Sequence, residues 1–289
     1  MTIRLRIESS LEALLVRAEA SPAPPRLAAA LRHAVFPGGA RVRPQLCLAV
    51  SEACGGDDPG LADAAAVAIE CLHCASLVHD DLPCFDDAAI RRGKPSVHAT
   101  FGEPLAVLAG DALIVLAFEA IARAGAASPA RLAPLLTVIA RGVGMPGGIV
   151  AGQAWESEAN VPVESYHQAK TGALFVAAVT SGAIAAGADP GPWRILGDKL
   201  GAAYQVADDL LDAVCCEGES DKPTGRDAAL ARPSAVAELG LAGAYARLES
   251  LVVEAADAVP ACHGAADLCQ LVRMQAVRLL PRQLARGAA

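Results

Sequence analysis

Aromatic residues are scarce in this sequence, and their scarcity bears first on the fold class. Five Phe, three Tyr and two Trp make up 3% of the 289 residues. Strands favour aromatic and β-branched side chains, whereas alanine, which supplies about a fifth of this chain, favours helix. Asn-Gly and Asp-Gly turns between alternating runs, a strong sign of β-hairpins, are missing as well. The sequence therefore predicts an all-α protein.

The chain also lacks an excess of basic residues. Its 24 Lys and Arg against 32 Asp and Glu give a net charge of −8 and a pI near 5.3. A general nucleic-acid binder normally carries the opposite balance, so we expect no nucleic-acid partner. The composition still allows a polyanionic small substrate, provided that a few basic residues are concentrated around it.

Long uncharged apolar runs are absent too. The stretch 177–188 is too short and too rich in Ala and Gly to span a bilayer, and residues 1–10 carry charges where a secretory signal has an apolar core. We therefore expect no membrane span and a cytoplasmic location. The nine cysteines fit reduced thiols. Cys71 and Cys74 have the spacing of zinc ligands, but no second pair lies near them, so core packing is the preferred interpretation.

Length alone allows one domain or two. The sequence contains no internal repeat and no low-complexity linker, and Gly- and Pro-containing breaks divide it into apolar segments of helical length. We predict a single all-α domain over residues 1–289, with about ten helices. The segments 105–122 and 173–186 are apolar on nearly every side, which predicts helices buried in the centre of a large bundle.

Two dense groups of aspartates each follow an apolar helical segment, 61–79 in the first case and 195–207 in the second. They are Asp80, Asp81, Asp86 and Asp87, and Asp208, Asp209 and Asp212. Asp208 and Asp212 share a helix face, and Pro83 permits a turn that brings Asp86 back toward Asp80. Ionised carboxylates beside apolar helices need a cation, and Mg²⁺ or Mn²⁺ suits their oxygens. One such group alone is better explained as a solvated helix end, but two together favour metal binding.

Basic residues lie close to the same points in the sequence. Arg91, Arg92 and Lys94 follow the first aspartate group, Lys222 follows the second, Lys170 interrupts an apolar segment, and Arg41 and Arg43 follow a Gly-Gly pair. Each of them taken alone is explained by surface solvation, although the apolar flanks of Lys170 fit that explanation least. Carboxylates with a divalent metal, surrounded by Arg and Lys, are typical of a site that holds a diphosphate.

The order and spacing of these segments resemble the trans-type polyprenyl diphosphate synthases, in particular the short-chain bacterial geranylgeranyl and farnesyl diphosphate synthases. The resemblance covers about residues 38–240. It rests on residues 38–44 (GGARVRP), 70–83 (ECLHCASLVHDDLP), 91–95 (RRGKP), 101–103 (FGE), 108–113 (LAGDAL), 152–153 (GQ), 170–174 (KTGAL), 204–205 (YQ) and 208–212 (DDLLD). It implies an isoprenoid-synthase-type helical bundle around a central cavity, usually a homodimer. The activity that it implies is the condensation of isopentenyl diphosphate with allylic diphosphates, using three Mg²⁺ ions.

The resemblance also implies roles for individual residues. Metal ligands would be Asp80, Asp86 and Asp208. Contacts to the allylic diphosphate would be Arg91, Lys170, Thr171, Gln205 and Lys222, of which Arg91, Lys170 and Lys222 would stabilise the diphosphate as it leaves. Contacts to isopentenyl diphosphate would be Arg43, His73 and Arg92. His73 lies seven residues before Asp80, and therefore on the same helix face about 10 Å away.

The sequence departs from the family at three places. Ala40 stands where the family usually has Lys, which removes a cation expected at the isopentenyl diphosphate site. Cys215 and Cys216 stand where Gly-Asp is frequent, and residues 232–233 (Arg-Pro) stand where a Lys-Thr pair is frequent. Because both aspartate groups are complete, we expect an active enzyme.

Product length is expected to depend on the helix before Asp80, along which the prenyl chain would grow. Ala75, five residues before Asp80, takes a place where farnesyl-forming relatives often carry an aromatic ring, and Leu72 and Ser76 lie about two turns and one turn before Asp80. A small residue at this place leaves room for one more isoprene unit, which favours the C20 product.

Three other interpretations account for part of the same features. A farnesyl diphosphate synthase would have the same fold and make the C15 product. A non-catalytic subunit of a heteromeric synthase is favoured by Ala40 and disfavoured by the two complete aspartate groups. A terpene cyclase also uses two acidic regions, but residues 91–93 and 170–171 belong to the prenyl-elongating family.

Overall fold

The computed structural model describes residues 1–36, 38–214 and 234–277. Helices make up nearly all the secondary structure in these ranges, so the all-α prediction is confirmed. Short helices stand between the long ones, which is why the described helices outnumber the ten predicted. By packing, the chain divides into two compact units: Met1–Ile139 with Ser181–Ala188, and Ala140–Thr180 with the chain from Asp189 onward.

The first unit contains the N-terminal helices and a small β-ribbon. Its helices are α1 (Ile3–Ala18), α2 (Pro25–Val35), α3 (Val42–Ala53), α4 (Pro59–Asp80), α5 (Val97–Phe101), α6 (Glu103–Gly125) and α7 (Pro129–Val143), the last of which ends in the second unit. The ribbon pairs β1 (Ile90–Arg91) with β2 (Lys94–Pro95) in antiparallel register.

Helix α4 carries the first aspartate group at its C-terminal end. The side chain of Asp58 accepts a hydrogen bond from the backbone N–H of Leu61 at 2.9 Å, and Pro59 begins the helix with a preset backbone angle. Its buried residues lie on most sides of the helix, as expected from its continuous apolar sequence. The observed helix extends the predicted segment 61–79 to include Asp80.

The prediction that the segment 105–122 is buried on most sides is wrong. Helix α6 packs one side against α4, so closely that a side chain at Gly110 would collide with the ring of His79. On other sides Val107, Leu108 and Val115 are 41%, 50% and 66% exposed. Apolar composition shows that a helix has little polar surface, but it does not show what covers that surface. The corresponding prediction for α10 (Ala173–Ala185) is confirmed, because most of that helix is buried.

The β-ribbon is a feature that the sequence did not predict. Its two-residue connection, Arg92 and Gly93, has φ angles of 54° and 72°, both in the left-handed region. Connections of this kind match the twist of the two strands, and their first position usually holds Asn, Asp or Gly. Because arginine stands at that position here, the usual sequence sign of a β-turn is missing.

The second unit is built from the C-terminal helices. They are α8 (Ile149–Trp155), α9 (Val163–His167), a π-helical turn (Gln168–Gly172), α10, α11 (Trp193–Val214), α12 (Ala235–Asp257) and α13 (Ala265–Val277); α10 ends in the first unit. Helices α11 and α12 share an apolar core, and α12 is interrupted at Gly240, where φ is 69°.

Two described helices, α4 and α6, are long and apolar enough to cross a membrane by length and composition alone. The core helix of a folded water-soluble domain meets the same criterion. In α4, 72% of the most apolar stretch is buried by the rest of the protein, against 39% in α6.

Candidate active site

In the first unit, the chain turns sharply after α4 and brings two aspartates together. The backbone N–H of Asp86 donates to the carbonyl of Asp80 at 2.9 Å, and that of Asp87 donates to Leu82 at 3.0 Å. This turn places a carboxylate oxygen of Asp86 within 4.8 Å of one of Asp80. The predicted return of Asp86 toward Asp80 therefore occurs in the structure.

Asp81, between these two, has a different environment. Its carboxylate is buried, and Oδ1 accepts two hydrogen bonds from the guanidinium of Arg91, one of them from Nε at 2.8 Å. Burial raises the pKa of Asp81, and the adjacent guanidinium opposes that effect. Arg91 also lies 3.8 Å from Oδ2 of Asp80. Asp81 therefore holds Arg91 beside the pair formed by Asp80 and Asp86.

Three predicted contacts to isopentenyl diphosphate lie together on the same unit. The ring nitrogen Nε2 of His73 lies 3.5 Å from the guanidinium of Arg43 and 3.4 Å from that of Arg92. A side chain at Gly39 would approach the Arg92 guanidinium to 3.1 Å, so the Gly-Gly loop borders this cluster. Two guanidinium groups around one imidazole form a local concentration of positive charge, which suits a phosphate group.

Two further cations near this cluster are engaged within the protein. Arg41 has no exposed side-chain surface and binds Glu8 at 3.0 Å and Glu70 at 2.5 Å. Lys94 donates its ammonium hydrogens to the carbonyls of His33 and Phe36 at the C-terminal end of α2, the second at 2.6 Å. Burial lowers the pKa of Lys94, and the nearby Arg92 charge adds to that effect.

In the second unit, the predicted residues Lys170 and Thr171 lie in the π-helical turn. Glycines allow neighbouring helices to approach its backbone: a side chain at Gly152 would collide with the backbone of Lys170, and one at Gly201 would lie 2.5 Å from the Cα of Gly172. Short π-helical turns occur frequently at functional sites, because they shift backbone and side chains out of the regular helical positions.

The ammonium group of Lys170 binds Glu156, a residue that sequence analysis missed. Oε1 of Glu156 accepts from Lys170 at 2.5 Å and from the hydroxyl of Tyr166 at 2.6 Å, while its Oε2 accepts from Gln153 at 3.1 Å. Glu156 follows the Gly-Gln pair by three residues, so its place close to a motif of the sequence was the only signal that could have drawn attention to it.

Thr171 and Gln205 are joined in a chain of hydrogen bonds. The Thr171 hydroxyl donates to Oε1 of Gln205 at 2.8 Å, and Nε2 of Gln205 donates to Oδ1 of Asp209 at 2.9 Å. Asp208 is exposed on α11, and Asp212 follows one turn later on the same face.

Other residues singled out from the sequence fall in different surroundings. On α4, Leu72 and Ala75 are fully buried, whereas Ser76 is partly exposed and donates its hydroxyl to the carbonyl of His73 at 2.8 Å. Cys71 and Cys74 are buried free thiols, and burial, aided by Glu70, raises the pKa of Cys74 to about 12, as expected of packed side chains. Lys222, Cys215, Cys216, Arg232 and Pro233 lie outside the described residues.

The model of one protein family, the polyprenyl synthetases, matches residues 24–264. The chain belongs to the polyprenyl synthetase family. It is 54% identical over 285 residues to a geranylgeranyl diphosphate synthase of Cereibacter sphaeroides, with 99% of each chain covered. It is 50% identical over 289 residues to the geranylgeranyl diphosphate synthase of Rhodobacter capsulatus, with 99% of this chain and 100% of the relative covered.

A solved structure extends the similarity to a family member with bound ligands. A geranyltransferase from Helicobacter pylori, complexed with magnesium and isoprenyl diphosphate, is 31% identical to this chain. The two structures align with a TM-score of 0.78 over 94% of this chain and 96% of that one. The isoprenoid-synthase helical fold expected from the sequence is thus confirmed.

The donor groups of this polyprenyl synthetase fit magnesium. Asp80 and Asp86 offer carboxylate oxygens within 4.8 Å of each other, and Mg²⁺ prefers such oxygens together with water and phosphate. Asp81 is committed to Arg91, so the ligands of the first group are Asp80 and Asp86 if the cation is bound there. In the second unit, Asp208 presents an exposed carboxylate.

Proposed function

We propose that this protein is a geranylgeranyl diphosphate synthase, which condenses isopentenyl diphosphate with allylic diphosphates up to the C20 product. The observation that carries the proposal is the 54% and 50% identity to two geranylgeranyl diphosphate synthases over essentially the whole chain. Both aspartate groups and the His73 cluster, which the chemistry requires, are present in the described residues. The proposal treats residues 1–289 as one functional domain.

We assign metal binding to Asp80, Asp86 and Asp208. Bound Mg²⁺, three ions in the proposed enzyme, would offset the negative charge that develops on the diphosphate as the allylic C–O bond breaks. Arg91, Lys170 and Lys222 would add direct positive charge to the same diphosphate, with Thr171 and Gln205 beside it. Charges fixed in advance around a leaving group lower the barrier because they need no rearrangement during the reaction.

Isopentenyl diphosphate is assigned to His73, Arg43 and Arg92. The double bond of this substrate attacks the allylic carbon, a carbon–carbon bond forms, and one proton is lost from the new chain. We assign that proton to the departing diphosphate, so no side chain has to act as a base. The apolar, tightly packed helices exclude water, which would otherwise capture the allylic cation.

We further propose a homodimer and a cytoplasmic location. The exposed apolar residues of α6, Val107, Leu108 and Val115, support burial of this helix face against a second copy. Asp111 lies within the same face and is 60% exposed, which disfavours contact with lipid tails. The seven described cysteines are free thiols, as is usual in a reducing compartment.

The test is incubation of the purified protein with Mg²⁺, isopentenyl diphosphate and dimethylallyl, geranyl or farnesyl diphosphate in separate reactions. After dephosphorylation, chromatography should show mainly the C20 alcohol, and EDTA should abolish its formation. Asp80→Ala and Asp208→Ala should each lower kcat by about 10²–10³-fold or more, the usual cost of losing one electrostatic contact to the transition state.

Asp257→Ala is the matched control, because it removes an exposed carboxylate of α12 that belongs to neither aspartate group. Mainly C15 product would identify a farnesyl diphosphate synthase instead. No product from the isolated protein would favour the non-catalytic subunit. Turnover that persists in EDTA would exclude the metal-dependent mechanism.

A further inference from the structure

Asp209 is the buried member of the second aspartate group. It is 3% exposed, whereas Asp208 beside it is exposed. Successive residues of a helix point about 100° apart, so the two neighbouring side chains leave α11 on different sides. The side of Asp209 faces α12, with which α11 shares a buried core: Ala203, Val206, Ala207 and Leu210, with Ala244, Leu248 and Leu251.

Both carboxylate oxygens of Asp209 accept hydrogen bonds. Oδ1 accepts from Nε2 of Gln205 at 2.9 Å, and Oδ2 accepts from the backbone N–H of Ala235 at 2.7 Å. Ala235 is the first residue of α12, and such an N–H has no acceptor within its own helix. The helix dipole further favours a negative charge at this end. The first backbone N–H of α12 therefore fixes Oδ2 of Asp209, and Oδ1 faces Gln205.

This arrangement sets the direction of two further hydrogen bonds. Because a carboxylate only accepts, the amide of Gln205 must turn its nitrogen toward Asp209 and its oxygen away. That oxygen accepts from the hydroxyl of Thr171 at 2.8 Å, so the single hydroxyl hydrogen of Thr171 is committed as well. Toward any other group, Thr171 then presents only oxygen lone pairs, which repel the oxygens of a diphosphate but suit the positive charge that develops on the allylic carbon.

We propose that Asp209 is a positioning residue for the allylic substrate and not a metal ligand. It orients the amide of Gln205 and, through that amide, the hydroxyl of Thr171. The assignment rests on the proposed function, which places Thr171 and Gln205 beside the allylic diphosphate. The second aspartate group then has two roles, with Asp208 for metal and Asp209 for the hydrogen-bond chain.

Asp209→Asn tests the assignment because it keeps the shape and changes one acceptor into a donor. If Oδ1 of the new residue keeps the bond to Ala235, its Nδ2 faces the nitrogen of Gln205, and the Gln205 amide must turn over. We expect kcat/KM for farnesyl diphosphate to fall roughly tenfold or more, in the range found when partners that orient binding groups are removed. KM for isopentenyl diphosphate and the Mg²⁺ concentration for half-maximal activity should stay within about twofold of the wild type.

Asp208→Asn is the matched control: the same change, one residue earlier, should raise the Mg²⁺ requirement. A comparable rise in Asp209→Asn would identify Asp209 as a ligand and overturn the proposal. A lower melting temperature with unchanged kinetics for farnesyl diphosphate would identify only a helix cap and also overturn it.

A double-mutant cycle separates an effect through Gln205 from an independent one. In a Gln205→Ala background, Asp209→Asn should cause no further loss of kcat/KM for farnesyl diphosphate, whereas two additive losses would contradict the proposed chain. Failure of the proposed function would appear in the wild-type enzyme, as absence of the C20 product. Failure of this assignment appears only in the comparison of variants.

Discussion

At the scale of single residues, Arg41 follows the Gly-Gly pair, where a cation could bind a diphosphate, but its contacts within the protein keep it away from any substrate. Its guanidinium is buried on Glu8 and Glu70 and also donates to the carbonyl of Val35 at 2.8 Å. Burial by itself lowers the pKa of Arg41, but the two acids outweigh it and the pKa is raised overall. These contacts also hold Arg41 at a φ of 52°, a left-handed angle that arginine rarely adopts.

Because Arg41 is committed in this way, it does not replace the lysine that the family usually has at position 40. Ala40 is exposed, and its carbonyl accepts from the side chain of Gln45 at 2.6 Å. Ala40→Lys should lower KM for isopentenyl diphosphate roughly fivefold, about 1 kcal/mol, since charge-assisted contacts contribute about 1.5–3 kcal/mol before solvent competes for them. KM for the allylic substrate should change little. Steady-state kinetics with each substrate varied in turn measures both constants.

Ala40→Met is the control for this substitution, because it adds a side chain of similar length without charge. An equal fall of KM in both variants would show that contact area, and not charge, is responsible. An unchanged KM in the lysine variant would contradict the idea that a cation is missing from this site.

At this scale, the sequence predicts a contact between two residues only when they lie close to each other along the chain. The approach of Asp86 to Asp80 is local, since it needs only a turn at Pro83, and the alignment of His73 with Asp80 follows from helix geometry. The bond between Lys170 and Glu156 joins residues 14 positions apart, and that between Asp209 and Ala235 joins residues 26 apart. Such pairs are made by helix packing, which a motif does not encode.

At the scale of elements, α4 combines two functions along one helix. Its last turn carries Asp80, and its preceding turns carry His73, Ser76 and the buried Ala75. Its length and position were predictable because its cap, its apolar run and its acidic end are all local signals. The β-ribbon after it was missed because its turn begins with arginine, and the exposure of α6 was missed because composition does not show which neighbour covers a helix.

The small side chain of Ala75 leads to a prediction about product length. Ala75→Phe should change the main product from C20 to C15, because a ring in a close-packed interior is not absorbed freely and overpacking costs about 1–3 kcal/mol. Only the longest tail should meet the ring, so the rate of the first condensation should stay within about tenfold. Chromatography of the dephosphorylated products measures the C15 to C20 ratio.

A graded series at position 75 controls for general damage to the fold. Ala75→Ser should leave the C20 product dominant, and Ala75→Leu should give a mixture between those of the serine and phenylalanine variants. A C20 product from the phenylalanine variant, or a product ratio that does not follow side-chain volume, would show that Ala75 does not limit the chain.

At the scale of the whole molecule, the exposed apolar face of α6 requires an explanation. A monomer in water gains little by leaving Leu108 and Val115 half or more exposed, two turns apart on one side of the same helix. Buried apolar area contributes about 25 cal/mol per Å², so covering this face with the same face of a second copy stabilises the pair. Closed two-fold symmetry is the commonest arrangement in which one patch covers itself.

Val115→Glu tests this arrangement directly. In a two-fold dimer through α6, two added carboxylates would face each other without partners, and desolvating them would cost several kcal/mol, enough to separate the subunits at micromolar concentration. Light scattering after size exclusion should give about twice the chain mass of 29.3 kDa for the wild type and about one chain mass for the variant. Val253→Glu on α12 is the matched control, since Val253 is 59% exposed against 66% for Val115, and it should leave the mass at two chains. A wild-type protein of one chain mass, or a Val115→Glu variant that stays dimeric, would show that this face does not join two copies.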